Sequence, residues 1–572
     1  MKKWIFLAPL VLILVWQAYE QLPIGPRIRV SKETTHLTEP LAPDGLPDYS
    51  GALLAELREG VTPENNGALP YLQAMWPAEL EAEHQAPLCQ ELGMQVPQAE
   101  GVASPQDDEL LQRQVEEWLS GEGESAVGKE RRRETFFTLI QRQPWEADQA
   151  PQVAEWIDAH REQYDLLHQA VSRPRFYCPS PTFLTDPDAR WIDMQLPTVQ
   201  CMRNAARCLA VRANLLAGQG DFEAAWRDCR AIYEFSDRLE STTIVERLVS
   251  YALEGLANEV ALGILGEERL GGETAAQMLA FYQPRLPHND LVAAMDTGER
   301  YCFITSVLAM SRQRLPGGPL DDGQATLSPT AARRVNWNVV LALGNELYDK
   351  LIAANKLEDR DARDQAFDRF GDELDALFEE DLVSVAAAQV SRGARSRLIG
   401  RRLLSLLLPA INAANAAQDR RNIYRQLMPV AAALAVYRAG HGEYPDTLQP
   451  LMPVLLAEPP TDLFHAASLI YRRTGNGYLL YSLGDNQRDD QGCHALYESY
   501  AGYPTQSRMR IRGWDEAVVE LLGLQDAPNL YDEEGHGPYF NIPSDADDYA
   551  VRMPVVTIDL PQPPGDTNPH KD

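Results

Sequence analysis

The chain has 572 residues, too many for a single hydrophobic core, and its 45% hydrophobic and 24% charged residues are typical of a folded protein. Its net charge of −31 argues against binding to nucleic-acid backbones and against docking on an anionic membrane surface, because both need clustered basic residues. The acidity itself predicts a well-solvated surface.

An apolar segment opens the chain. Lys2 and Lys3 precede an uncharged run from Trp4 to Trp16, which is short for a membrane span and typical of a signal sequence. Because no small-residue cleavage site follows, we expect residues 1–19 to be a signal anchor, with a cleaved signal peptide as the alternative. Either way, the body of the chain would lie outside the cytoplasm of a bacterium. It would be a single-pass, periplasmic protein of the inner membrane, or a secreted one.

Seven cysteines are scattered along the chain without a C-x-x-C motif. This spacing supports neither a zinc ribbon nor a redox motif. Export would permit disulfides, and the sequence predicts buried thiols with one or two bridges.

Residues 20–50 are polar and Pro-rich, which predicts a linker, and residues 51–390 predict a large α-helical domain. From about 106 onwards apolar residues recur at three- and four-residue steps, as they do on the buried face of a helix. The strongest predicted helices are 151–171, 195–218, 221–238, 241–266, 287–312, 329–355 and 360–380. The stretch 209–235 resembles a tetratricopeptide helical hairpin, but no second copy follows. We therefore expect repeat-like helical hairpins with ordinary helix packing.

The predicted helix 360–380 lies in a strongly acidic run, 357–381. Phe367, Phe370 and Leu374 recur there at helical spacing. The acidic residues are therefore expected on the outer face of an amphipathic helix.

The C-terminal region, 395–572, has a different pattern. Leu403–Pro445 predicts one long helix with a Gly-Glu-Tyr-Pro exit, and Thr474–Gly477 predicts a hairpin turn in which Gly and Asn supply positive φ. We expect this hairpin to pack on the helix at 428–437. A third strand is predicted at 547–554, which leaves about 493–546 as an insertion.

These residues resemble a type IV pilin-like module, above all the major pseudopilin of type II secretion. The resemblance rests on Leu406–Ala410, on the Gly442–Pro445 exit, on Pro460–Phe464 and on the hairpin. It implies a small α+β module in an otherwise mainly α protein. Here the helix is internal and follows Arg395, Arg397, Arg401 and Arg402, so we expect neither membrane storage nor filament assembly through it.

The resemblance also implies a calcium site in the loop after the hairpin. The candidate ligands offer carboxylate and amide oxygens, which Ca²⁺ prefers. They are Asp485, Asn486, Asp489 and Asp490, with Asp547 or Asp548 completing the shell. The alternative is a solvated acidic turn without metal.

Catalytic motifs are not recognisable in the sequence, which has no G-x-S-x-G, no H-E-x-x-H and no phosphate loop. His160 and His168 are placed poorly for one metal and are expected to be surface side chains. Adjacent Cys493 and His494 point apart and predict no catalytic dyad.

The sequence therefore favours a non-enzymatic scaffold or protein-interaction protein of the bacterial envelope. It would contact the membrane through residues 1–19, bind an unidentified protein partner and bind no nucleic acid. Two alternatives stay open. One is an exported hydrolase with a carboxylate-lined site in the helical domain, and the other is an accessory protein of a type II secretion or pilus-like system.

Overall fold

The computed structural model describes residues 20, 22, 25–77, 80–120, 126–186, 191, 197–239, 242–312, 332–357, 359–378, 382–407, 410–465, 467–492, 548–555 and 560–563. Within these residues the protein is mainly helical, with one small three-stranded antiparallel sheet near the C-terminus. This confirms the predicted fold class. The predicted signal anchor and the whole predicted insertion, 493–546, lie outside the described residues.

The first part of the body is built from short helices. They are α1 (Tyr49–Arg58), α2 (Ala68–Met75), α3 (Ala82–Glu91), α4 (Glu109–Leu119), α5 (Ala126–Arg142), α6 (Pro151–Ala159), α7 (Arg161–Ser172) and α8 (Pro181–Thr185). Helix α2 packs on α7, and α4 packs on α5. The single predicted helix 151–171 is thus two helices. They separate at His160, whose ring nitrogen Nδ1 lies 2.8 Å from the carbonyl oxygen of Trp156.

Four helices follow, of which the first three pack against one another while the fourth packs on the second. They are α9 (Pro197–Gln219), α10 (Phe222–Arg238), α11 (Ile244–Gly266) and α12 (Gly272–Tyr282). Gly220 lies in the turn between α9 and α10 with a φ of +85°, a conformation that favours glycine. A capping box begins α11, because Thr243 Oγ1 accepts the Glu246 N–H while the Glu246 carboxylate accepts the Thr243 N–H.

Helix α11 is the one helix among the described residues that is long and apolar enough to cross a membrane. It lies in the middle of the chain, and 67% of its most apolar window is buried inside the protein. The same composition suits the central helix of a hydrophobic core, so this helix is weak support for a membrane span.

The next helices form a second core. Residues Leu291–Ala293 lead through a π-helical segment, Ala294–Glu299, into α13 (Arg300–Arg312), and then follow α14 (Trp337–Asn355), α15 (Arg360–Phe378), α16 (Leu382–Val390) and α17 (Arg392–Leu407). Phe370 is buried while Asp368 and Asp372 are exposed, which confirms the amphipathic acidic helix. The N-terminal segment lies against α14, where Asn345 Nδ2 donates to the carbonyl oxygen of Thr34 at 2.8 Å.

The C-terminal region contains the predicted long helix and sheet. Helix α18 spans Ala410–His441, and the sheet has the order β1 (Ile470–Thr474), β2 (Gly477–Ser482), β3 (Tyr549–Met553). In the hairpin turn Gly475 takes a positive φ of 45°, whereas Asn476 does not. Helix α18 contacts β2, as predicted for the hairpin, and it also contacts β3.

Helix α18 also packs on α11 and α12 of the helical body. One hydrophobic core therefore contains residues from 68–282 together with residues from 423–560. The fully buried side chains of Leu427 and Leu434 belong to it. The core is continuous across the predicted boundary between the helical domain and the C-terminal module.

Cysteines are sparse, and no disulfide joins any two of the six that the structure describes, so the predicted one or two bridges are not found among them. Four of them, Cys89, Cys201, Cys208 and Cys229, are buried. Burial raises the pKa of the Cys229 thiol well above its ordinary value, so this group stays protonated and unreactive at neutral pH.

Candidate functional site

The acidic loop, which we define as residues 483–492, leaves β2 and folds back over the sheet. A Cβ placed on Gly492 would lie 3.2 Å from Leu479 of β2 and 3.3 Å from Ala550 of β3. Helix α18 covers the other side of the sheet, and this explains why all six residues of β2 are buried. The loop is thus a packed part of the module.

The backbone of the acidic loop is tightly wound. Gly484 and Gly492 have positive φ, and so do the non-glycine residues Gln487 (52°) and Gln491 (59°). A non-glycine residue in this region costs about 1 kcal/mol or more and persists where neighbouring contacts fix the backbone. Here the Gln491 N–H donates to Asp489 Oδ1 at 2.9 Å, and the Arg488 N–H donates to Asn486 Oδ1 at 2.7 Å.

Asp489 and Asp490 each bind an arginine. Asp489 accepts a hydrogen bond from the Tyr481 hydroxyl at 2.8 Å and lies 2.9 Å from a guanidinium nitrogen of Arg472. Asp490, whose side chain is only 3% exposed, lies 2.7 Å from Nε of Arg488. Burial, followed by the bond to Asp489, raises the pKa of Tyr481, so its hydroxyl remains a donor at physiological pH.

The remaining predicted ligands point to separate partners. Asp485 is exposed and pairs with Arg360 of α15, while the buried Asp548 accepts the Gly492 N–H at 2.7 Å. The Asn486 amide donates to Asp490 at 2.8 Å. Asp547 lies outside the described residues. The structure thus places these side chains on one loop, and each described carboxylate has a protein donor.

A convergent set of metal ligands occurs elsewhere in the described part of the chain. Glu81, Glu83 and His84 have ligand atoms within 4.8 Å of one another, but both glutamates are exposed. No such set includes the described aspartates of the acidic loop. Calcium binding by the loop therefore stays a prediction.

Asp462 anchors the start of the acidic loop, a role that was not predicted from the sequence. It is 4% exposed, and it accepts hydrogen bonds from the Ser482 hydroxyl (2.8 Å), the Leu483 N–H (2.9 Å) and the Phe464 N–H (2.8 Å). The sequence contained a signal for this role, because Asp462 belongs to the 460–464 stretch on which the predicted resemblance rests.

We expect Asp462→Ala to destabilise the protein by about 2–4 kcal/mol, because it leaves three donors without their acceptor in a buried site. Urea unfolding measures this change, and hydrogen exchange of residues 483–492 should become faster. Asp446→Ala is the matched control, since Asp446 is 87% exposed and pairs only on the surface with Arg473. Equal urea midpoints for the two variants would contradict the anchoring role of Asp462.

A polar seam joins α18 to the body. Arg425 makes two bonds of 2.7 Å to the Glu254 carboxylate of α11, and Arg421 lies 2.6 Å from Asp290, which also binds Arg247 at 2.9 Å. Burial alone would raise the pKa of Asp290. A hydrogen bond from His288 and the two arginines outweigh it and hold that pKa well below its ordinary value. The sequence shows these arginines only as an interruption of an apolar helix.

A second buried ion network joins α7, α9 and α10. Asp228 is fully buried and binds Arg212 through two bonds of 2.6 Å, and His168 Nε2 lies 2.7 Å from the same carboxylate. The Arg212 guanidinium lies 3.9 Å above the ring of Tyr164.

The prediction that His160 and His168 are surface side chains is wrong, since both are partly buried and bonded.

A groove with a volume of about 790 Å³ lies between α10 and α12. Trp226 and Phe281 meet edge to face in its floor, with ring centroids 5.3 Å apart. Three arginines line it: Arg227, Arg230 and Arg285. The groove was not predictable from the sequence, because its two walls are separate helices.

Comparison of the chain with protein-family models, with curated proteins and with solved structures gives no match.

Proposed function

We propose that the protein is a non-enzymatic scaffold of the bacterial envelope, anchored by residues 1–19, whose helical body binds another protein through the groove between α10 and α12. The observation that carries this proposal is the chemistry of the groove. It combines an aromatic floor with arginine walls in a chain whose net charge is −31. The pilin-like module would serve as a rigid platform, not as a filament subunit.

The arginines of the groove differ in how they are bound. Arg285 lies 4.6 Å from the Phe281 ring centroid and binds Asp237 at 2.7 Å, whereas Arg230 binds Glu234 at 2.8 Å. Arg227 is exposed and has no hydrogen-bond or ion-pair partner among the described residues. Its guanidinium is therefore available for a carboxylate on a partner.

The groove also holds two carboxylates, those of Asp221 and Glu223. Asp221 caps α10 by accepting the Ala224 N–H, so this carboxylate supports the helix end. The partner that fits is a protein segment with an apolar or aromatic side chain for the floor and an acidic side chain for Arg227. Arginine and aromatic residues are the side chains that most often dominate binding energy at interfaces.

The position of α18 supports a scaffold over a filament subunit. One side of this helix contacts α11 and α12, and another contacts β2 and β3. Its apolar side chains are therefore used within the chain, where Leu427, Ala432 and Leu434 are fully buried.

We expect Arg227→Glu to weaken binding of an acidic, phenylalanine-containing peptide by about tenfold or more, because it places like charges against each other. Isothermal titration calorimetry with the full-length protein measures this change. The melting temperature should not move, since Arg227 is exposed and makes no bond to another described residue.

Arg113→Glu is the matched control, since Arg113 is an exposed arginine on α4, outside the groove. It changes the net charge by the same amount and should leave the affinity unchanged. Equal affinities for the two variants, or a peptide that binds as well after Phe is replaced by Ala, would argue against the groove.

A further inference from the structure

Basic residues of this acidic chain form a cluster close to residue 20, where the described part of the chain starts. The three stretches 25–32, 332–338 and 392–402 together hold ten arginines and lysines and no aspartate or glutamate. We call these three stretches the basic face. In a chain with 83 acidic and 52 basic residues, a region of this composition departs from the average.

The three stretches lie against one another in the structure. The Arg29 N–H donates to Asn338 Oδ1 at 2.8 Å, which joins the first stretch to the second. A guanidinium nitrogen of Arg395 donates to the carbonyl oxygen of Arg334 at 3.2 Å, and the Asn336 N–H donates to Ser396 Oγ at 2.8 Å. These contacts join the second stretch to the third.

The positive charge of the basic face is exposed and only partly balanced. Arg27, Arg333 and Arg397 are exposed and form no ion pair with any carboxylate that the structure describes. Arg395 lies deeper, and burial together with the nearby charges of Arg334 and Arg392 lowers its pKa. The part of this shift that comes from Arg334 and Arg392 reflects the closeness of like charges on the basic face.

The basic face lies beside the point where residues 1–19 join the body. The Arg392 N–H donates to the carboxylate of Glu20 at 2.5 Å, and its guanidinium donates to the carbonyl oxygen of Leu22 at 3.2 Å. Glu20 directly follows the apolar segment in the sequence. An anchor formed by that segment would hold the basic face next to the lipid headgroups.

We propose that the basic face lies on anionic lipid headgroups beside the anchor and so fixes the orientation of the body on the membrane. This inference rests on the proposed anchoring by residues 1–19. The net charge of −31, from which we expected no docking on an anionic membrane surface, does not decide the behaviour of this face, because charges are screened beyond about 8 Å at physiological ionic strength. The lipid headgroups therefore interact mainly with the charges of the nearest side chains. Each basic residue near an anionic surface strengthens binding to it by about fivefold.

The test measures flotation of the full-length protein with two kinds of vesicle, phosphatidylcholine alone and phosphatidylcholine mixed with phosphatidylglycerol. We expect partition into the anionic vesicles to be about tenfold higher or more at low salt, and this ratio to fall towards one at high salt. In the double variant Arg333→Glu/Arg397→Glu the ratio should be close to one even at low salt. The control Arg113→Glu/Arg161→Glu alters two exposed arginines on α4 and α7 and should keep the ratio of the unaltered protein.

The outcomes separate the two proposals. Equal partition into both kinds of vesicle would leave the anchor intact and overturn the role of the basic face. Failure to associate with either kind would overturn the anchor and this inference together. Tighter binding to duplex DNA than to the anionic vesicles at the same salt would also overturn it.

Discussion

Replacing Asp228 with alanine should destabilise the protein by about 3–5 kcal/mol, because it leaves a buried guanidinium without its counter-charge. Asp228 is fully buried, and the side chain of its partner Arg212 is 13% exposed. The two bonds between them join α9 to α10, and His168 brings in α7. Equilibrium unfolding in urea, followed by circular dichroism, measures the loss.

Asp158→Ala is the control for this experiment. Asp158 also pairs with an arginine, Arg161, but both side chains are mostly exposed, so we expect a change of about 0–1 kcal/mol. A similar loss of stability in both variants would show that the burial of Asp228 does not determine how much this carboxylate contributes to the free energy of unfolding.

The same carboxylate makes stability depend on pH. Burial alone would raise the pKa of Asp228, but bonds from Arg212 and His168 outweigh it and lower that pKa. A group with a lowered folded-state pKa stabilises the protein above its unfolded-state pKa of about 3.9, and the stabilisation disappears as the pH falls through the folded-state value. The difference in the free energy of unfolding between the unaltered protein and Asp228→Ala should therefore become smaller at acidic pH.

Replacing Glu254 with alanine should also cost about 3–5 kcal/mol, and it acts where the C-terminal module meets the helical body. The side chains of Glu254 and Arg425 are 3% and 9% exposed, and two bonds of 2.7 Å connect them. The variant leaves the largely buried Arg425 charge without its carboxylate partner. Urea unfolding measures the loss of stability. Faster hydrogen exchange along α18 would show that this helix is the part of the protein that is destabilised.

A double variant, Glu254→Leu/Arg425→Leu, tests why the single change is harmful. Removing both charges avoids an unpaired buried ion, so we expect most of the stability to return. If the double variant is as unstable as Glu254→Ala, the lost attraction between the two charges explains the loss of stability. The explanation by an unpaired buried charge on Arg425 is then wrong.

Much of the fold was predictable from the sequence, because long helices follow from the spacing of apolar residues. The predicted segments 221–238 and 360–380 correspond to α10 and α15, and the hairpin and third strand are β1, β2 and β3. The break at His160 was not predictable from spacing, since the apolar pattern continues through it. The π-helical segment at 294–299 was missed for a similar reason. It brings Gly298 against the 242–243 backbone, where a Cβ would lie 2.1 Å from the carbonyl oxygen of Thr242.

The candidate sites were less predictable, because their partners are distant in sequence. The aspartates of the acidic loop could be located, but not the arginines that bind them, since Arg360 pairs with Asp485 from 125 residues away. The groove needs α10 and α12 side by side. The net charge of −31 concealed the basic face, because a sum over the chain carries no information about position.

The continuous core has a consequence for the order in which the chain is made. The helices α11 and α12 are complete at residue 282, yet the part of α18 that enters their core begins at residue 423. At synthesis rates of about 5–20 residues per second, the ribosome needs roughly 7–28 seconds to bridge that interval. For this time α11, the one described helix that is long and apolar enough to cross a membrane, lacks the part of its cover that α18 supplies. A chaperone that binds exposed apolar segments should therefore engage the nascent chain in this interval and release it after α18 emerges.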